Sequence, residues 1–323
     1  KTEESLERWT ECEFNANNTE HIDSVLANWA KEYPSPSPVY YTIKALHEWR
    51  SRHIGDAFRT LQEGEEKHPD NPKMLLEKGK LEAKEGITTA EETLRHALKV
   101  ADGPDHYFAR QQLGLFYFDH GRWDKASNLI FQPDIDEDPL NCPNITEYIA
   151  CLYNTHRLKE CQALLRELQR AHYNFGPNLY DLAARLSFQL NDLGEALRFG
   201  RQALLLDSTE NRNLLMVELH LKLGQPDLAL QEAEATTKQY PESWRAYAMA
   251  SQSALQTTGR IEATKYALKS VELAPKELNA NKALFLAALG TAEASDLTYQ
   301  ETEVIRNSFS FLVDHKDSGI QQV

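Results

Sequence analysis

The chain has 323 residues, of which 41% are hydrophobic and 26% charged, with 14 glycines and 13 prolines. This is the composition of a folded protein, either two ordinary domains or one elongated repeat array, and it excludes a disordered or collagen-like chain. A formal charge of −14 argues against nucleic acid as a partner and against docking on anionic lipid, and no apolar run reaches the ~18 residues of a direct membrane insertion.

Read from the start, the chain opens on Lys1 rather than Met, which predicts a trimmed chain or an excised fragment. The compartment is left open: the cytoplasm is favoured, with an extracytoplasmic location following if a signal was removed. Asn17-Asn18-Thr19 and Asn144-Ile145-Thr146 match the glycosylation pattern, one that recurs by chance. Cys12, Cys142, Cys151 and Cys161 form no CxxC pair and read mostly as buried thiols acting as small hydrophobes.

Prolines set a ruler. Pro34, Pro69, Pro104 and Pro139 are each 35 residues apart, and Pro241 and Pro275 are 34 apart. A proline at fixed phase ends one helix and starts the next unit, because it cannot donate to a continuing helix. The apolar positions between them recur at spacings of three and four, which predicts helix, and no strand-like alternation is visible.

The first predicted unit, with Trp9, Ile22, Leu26, Trp29 and Pro34, is the most degenerate. Pro34-Ser35-Pro36-Ser37-Pro38 falls on the ruler and reads as the turn into unit two rather than a linker or an SH3-type ligand. Unit two carries Gly55, Ala57 and Pro69, and unit three Gly79, Gly86 and Ala90. Unit four carries Leu113, Gly114, Tyr117, Gly121, Trp123 and Ala126 within LGLFYFDHGRWDKA. Gly114 and Ala126 are small enough for two helices to approach, Gly121 permits a tight turn, and the larger residues fill the wedge between helices.

This stretch resembles the tetratricopeptide repeat at every position of its L-G-x2-Y-x3-G-x-aromatic-x2-A pattern. The later units keep parts of it. Unit five has His156 at the glycine position and Cys161 at the small one; unit six has Ala184, Ala196 and Ala203. Unit seven has Gly224, Ala229, Ala233 and Pro241, and unit eight Gly259, Ala263, Ala267 and Pro275. The resemblance implies an all-α, right-handed superhelical solenoid of about eight helix-turn-helix repeats over residues 1–275. Residues 276–323 are expected to form C-terminal capping helices, at 277–289 and 298–314, followed by a frayed tail from Asp317 to Val323.

Phosphate-loop, dinucleotide, zinc-protease and nucleophile-elbow motifs are all missing. Asp134-Ile135-Asp136-Glu137-Asp138 lacks the glycine and the distal glutamate of a calcium loop and reads as a solvated acidic turn. His47 and His53 are expected on one helix, and His106 and His120 flank another, without a neighbouring ligand. Cys151 and Cys161 are expected on opposing helices, as two thiols or as a disulfide if the protein is extracytoplasmic. The expectation is therefore no enzyme, no metal and no cofactor.

The resemblance further implies a concave groove lined by the first helix of each repeat, where the family binds extended peptides or a partner's helix. Projected onto this chain, it implicates Phe108, Gln111, Leu115, Phe118 and Asp119 in unit four, and Thr146, Ala150 and Tyr153 in unit five. Unit six contributes Asn178, Asp181, Arg185 and Phe188. Unit seven contributes Asn211, Leu214 and Glu218, and unit eight Arg245 and Gln252. Phe118, Tyr153 and Phe188 share a phase and read either as an aromatic ladder or as packing between units. Asn178, Asn211 and Gln252 suit a partner's backbone, and Arg185 and Arg245 suit carboxylates. The lysine and asparagine set of a chaperone-tail carboxylate clamp cannot be placed. Three functions follow: a scaffold that binds a protein or peptide and organises a multiprotein complex, the substrate-recruiting arm of a larger enzyme (a glycosyltransferase, sulfotransferase or protein-modifying enzyme), and self-association.

Overall fold

The computed structural model describes residues 2–15, 19–133, 138, 140–288 and 298–314. Seventeen α-helices and one π-helical segment form among them, and no strand. The fold is an all-α helical-repeat array. Its internal contacts divide into two compact units, Lys1–His156 and Arg157–Val323.

Unit 1 contains α1 (Glu3–Asn15), α2 (Thr19–Glu32), α3 (Pro38–Arg50), α4 (Ile54–Lys67), α5 (Pro72–Lys84), α6 (Ala90–Val100), α7 (Gly103–Asp119), the π-helical α8 (Lys125–Phe131) and α9 (Ile145–Asn154). Unit 2 contains α10 (Leu158–Arg170), α11 (Pro177–Gln189), α12 (Leu193–Leu206), α13 (Glu210–Lys222), α14 (Pro226–Gln239), α15 (Trp244–Ala254), α16 (Arg260–Leu273), α17 (Leu278–Ala288) and α18 (Tyr299–Asp314). Within each unit consecutive helices pair as hairpins, and each hairpin leans on the next. The last helix, α18, packs on α17 and α16.

The prolines act where helices begin. Pro38, Pro72, Pro104, Pro177 and Pro226 occupy the first turns of α3, α5, α7, α11 and α14, where the missing N–H has no intrahelical partner to lose. Asn71, Asp192 and Ser243 cap α5, α12 and α15 by accepting from Met74, Glu195 and Ala246 backbone N–H groups. The Pro34–Pro38 stretch is stapled down: Ser37 N donates to Glu3 Oε1 at 2.8 Å, and His68 Nε2 meets the Pro36 carbonyl at 2.8 Å.

A second ruler runs through the hairpin turns. Arg52, Gly86, Gly121 and His156 in unit 1, and Asn191, Gly224 and Gly259 in unit 2, all have φ between 58° and 100°. After Arg52, Gly86, Gly121, Asn191 and Gly224, the next N–H reaches back five residues to a carbonyl of the first helix, as from His53 to Glu48 and from Arg122 to Tyr117. This double closure satisfies carbonyls that a helix end leaves open. His156 thus takes the conformation of the glycine it replaces.

Small residues sit where helices cross. Ala57, Ala126, Ala196, Ala229, Ala263 and Ala267 are fully buried. At Gly79 an added Cβ would lie 2.7 Å from the Leu94 side chain, so no larger residue fits. Trp29, Ile22, Leu61 and Met74 anchor the core of unit 1, and Leu284, Val271 and Leu230 that of unit 2, each worth roughly 1.5–3 kcal/mol of burial. One helix boundary differs from expectation. His47 is buried in α3, whereas His53 precedes α4, because the chain turns at Ser51–Arg52.

Candidate functional site

In unit 2 the first helices of successive hairpins share a face. Between α15 and α17 they leave a cleft of about 460 Å³ whose floor is apolar, with Leu214, Trp244, Met249 and Leu286. Its polar lining is Arg245, Gln252, Asn279, Lys282 and Ser251. An adjoining cleft of about 340 Å³ is lined by Arg185, Asn211 and Glu218 and shares Leu214 and Met249 with the first. The two adjoin because the first helices repeat at a near-constant interval, which brings the same face of each to the same side.

The charges of this groove differ in how they are held. Arg212 is buried, donates to Asn178 Oδ1 at 2.7 Å, and is also tied to Asp207. One repeat on, Arg245 donates to Asn211 Oδ1 at 3.0 Å and its guanidinium lies 5.8 Å from the Trp244 ring centroid. Arg245 is exposed and meets no carboxylate among the described residues. Arg185 is occupied by Asp181 of its own helix, at 2.8 Å. The Ser251 hydroxyl is wholly buried and has no hydrogen-bond partner among the described residues. A buried polar group in that state is costly unless something else satisfies it.

Unit 1 carries its own cleft, of about 810 Å³, across the first helices α1, α3, α5 and α7. Val39, Ile43, Leu46, Leu76 and Phe108 supply apolar surface. Phe108 is 55% exposed, an unusual state for a phenylalanine in a folded chain. Glu7 and Glu11 of α1 and Asp105 of α7 supply acid, and Lys73 of α5 base. Glu77 and Lys80, also in the lining, neutralise each other at 2.7 Å.

The sequence-derived groove residues are distributed as follows. Phe108 lines the unit 1 cleft; Arg185, Asn211, Leu214, Glu218, Arg245 and Gln252 line the unit 2 groove. Gln111 is buried and accepts from Asn144, while its neighbour Gln112 lines the cleft. Asn178 and Asp181 are engaged by Arg212 and Arg185. Phe118 is half-buried with its ring 5.1 Å from that of Trp123, edge to face. Leu115, Tyr153, Thr146 and Phe188 are half-buried, Ala150 is buried and Asp119 is exposed. Residues of α1, α3 and α5 were not among the expected groove positions. The signal that could have found them is the run Glu3, Glu7, Glu11, three acids spaced by four on one face of α1.

Elsewhere the polar chemistry is structural. Burial opposes ionisation of Glu91, yet hydrogen bonds from Arg122 and Tyr117 hold its carboxyl below the usual range. Burial pushes the Cys151 and Cys161 thiols up to about 12. Among the described residues no group of three or more His, Cys, Asp or Glu side chains could hold a metal ion, and no helix is long and apolar enough to cross a membrane. The acidic stretch Asp134–Glu137, Pro139, Asn17-Asn18 and the tail 315–323 lie outside the described residues.

Paired antiparallel helices, small residues at their crossings and a left-handed residue in each hairpin turn from α3 to α16 define a helical-repeat protein built of helix-turn-helix units. Residues 214–277 match the tetratricopeptide repeat family model. Over those residues the chain carries tetratricopeptide repeats. Among solved structures it is similar to YrrB, described as a TPR protein with an unusual peptide-binding site, at 16% identity and a TM-score of 0.45, over 57% of this chain and 93% of that one. It is also similar to MamA from Desulfovibrio magneticus RS-1, at 20% identity and a TM-score of 0.45, over 56% and 98%. A third is PilW, a type IV pilus biogenesis factor, at 12% identity and a TM-score of 0.43, over 76% and 96%. No curated protein matches the chain.

Proposed function

We propose that the protein is a non-catalytic interaction scaffold that holds a segment of a partner protein in its first-helix grooves and thereby organises a multiprotein complex. The observation that carries this reading is the unit 2 groove, where three successive first helices contribute Arg185, Asn211, Glu218, Arg245 and Gln252 around the shared apolar residues Leu214 and Met249. An apolar floor gives affinity, and polar groups at a repeating interval engage an extended backbone at matched spacing. Leu286, 52% exposed beside that floor, is a surface that a partner would dehydrate.

The test is selection of binders from a displayed peptide library on the intact chain. Selected peptides should lose about tenfold in affinity on Leu286→Ala or Phe108→Ala, the usual size of a truncated apolar anchor, with an unchanged far-UV circular dichroism spectrum. Binders indifferent to both substitutions would refute the groove assignment.

A further inference from the structure

The two clefts differ in charge, and that difference says what each would hold. In unit 2 the cleft between α15 and α17 has Arg245 and Lys282 in its lining and, among the described residues, no carboxylate. Arg245 meets only the neutral Asn211 amide and the Trp244 ring, so its charge is presented rather than compensated. Asn279 adds amide donors. A guanidinium backed by an aromatic face and flanked by neutral donors suits a carboxylate, because hydrogen bonds to an ionised acceptor are about twice as strong as neutral ones.

In unit 1 the sign is reversed. Glu7 and Glu11 lie one turn apart on α1 and face the same cleft as Asp105. Glu7 is held by the Ser37 hydroxyl, which leaves its charge in place. Glu11 and Asp105 meet no cation among the described residues. Glu3 extends the row by one further turn, accepting from the Trp29 indole at 2.9 Å and from Ser37 N. Once Glu77 and Lys80 are paired, Lys73 is the one remaining base in the lining. Like charges held side by side along a helix repel one another, and a bound cation relieves that repulsion.

We propose that the protein reads two partner segments of opposite charge: an acidic segment with a bulky apolar residue in the α15–α17 cleft of unit 2, and a basic segment with a bulky apolar residue in the unit 1 cleft. This rests on the scaffold reading above and adds to it what each groove selects. The apolar requirement comes from Trp244, Met249 and Leu286 in one cleft and from Val39, Leu46 and Phe108 in the other. The chain's overall charge of −14 would by itself favour a basic segment everywhere; acidic binding at Arg245 is therefore the outcome that net charge does not predict.

Three fluorescent twelve-residue peptides serve as probes on the full chain: alternating Glu and Leu, alternating Lys and Leu, and alternating Asn and Leu. Fluorescence anisotropy should show R245E/K282E weakening the Glu/Leu peptide about tenfold or more while leaving the Lys/Leu peptide within twofold. E11K/D105K should do the converse, and added salt should weaken both charged peptides. If each double substitution shifts both charged peptides alike, only net charge is being read and the proposal fails. If the Asn/Leu peptide binds as tightly as the charged ones at the same grooves, the charge selection fails while the scaffold reading stands. If none of the three binds, both fail.

Discussion

Arg52 and Gly121 occupy the same position in the hairpin turns of two repeats, at φ 65° and 66°, and both lie in unit 1. Exchanging their residue types should therefore shift one unfolding transition in opposite directions. A non-glycine residue in the left-handed region costs roughly 1–2 kcal/mol, and replacing alanine by glycine loosens the unfolded chain by about 0.4–1 kcal/mol in the other direction. Arg52 is exposed and makes no side-chain hydrogen bond or ion pair among the described residues, so its removal forfeits little else. Arg52→Gly is expected to stabilise by about 0.5–1 kcal/mol from those two terms. At Gly121 an added Cβ would stand 3.7 Å from the Trp123 ring, an ordinary contact, so Gly121→Ala carries the conformational cost alone. It should destabilise by about 0.5–1 kcal/mol from the same two terms taken with the opposite sign. Urea unfolding followed by far-UV circular dichroism measures both through the midpoint at unchanged slope. A destabilising Arg52→Gly, or a neutral Gly121→Ala, would refute the claim that backbone conformation decides the residue at this phase.

Two further outcomes follow from named groups. Glu91 binds Arg122 and Tyr117 and has a depressed pKa in the folded state, so its contribution to stability is present above about pH 4.3, its ordinary value, and is lost as pH falls through the folded value. Glu91→Gln should accordingly cost about 1–2 kcal/mol at neutral pH and progressively less in acid; a cost independent of pH would count against the ion network. The Cys151 and Cys161 thiols, raised to about 12 by burial, should resist alkylation in the native protein at pH 8 while exposed Cys12 reacts; mass spectrometry showing all three modified alike would contradict that burial.

How much of this could be read in advance depends on the range of the interaction. The helices, their pairing and their turns were legible because they are local: the ruler prolines, which fall between hairpins or, at Pro104, in a first turn, the alanines at the crossings and the Leu113–Ala126 signature each act over one repeat. His156 was legible too, since it stands at the turn phase, though its left-handed φ of 58° is visible only in the structure. Groove membership was less so. Helical phase places Gln111 and Gln112 one residue apart, yet one is buried against Asn144 and the other lines a cleft, because a rotation of about 100° per residue separates core from surface. The unit 1 cleft escaped for a related reason: α1 belongs to the most degenerate repeat, and its acids gain meaning only when α3, α5 and α7 stand opposite them.

The sequence by itself determined that this is a repeat of helical hairpins, since the pattern and its turns recur within 33 to 35 residues. Tertiary structure alone decided which charges are spent and which are presented. Arg212 and Arg245 hold equivalent places one repeat apart, each on an asparagine of the preceding first helix. One is buried against Asp207 and the other faces an apolar cleft with no carboxylate among the described residues. That difference arises from neighbours brought near by packing, and no local pattern encodes it.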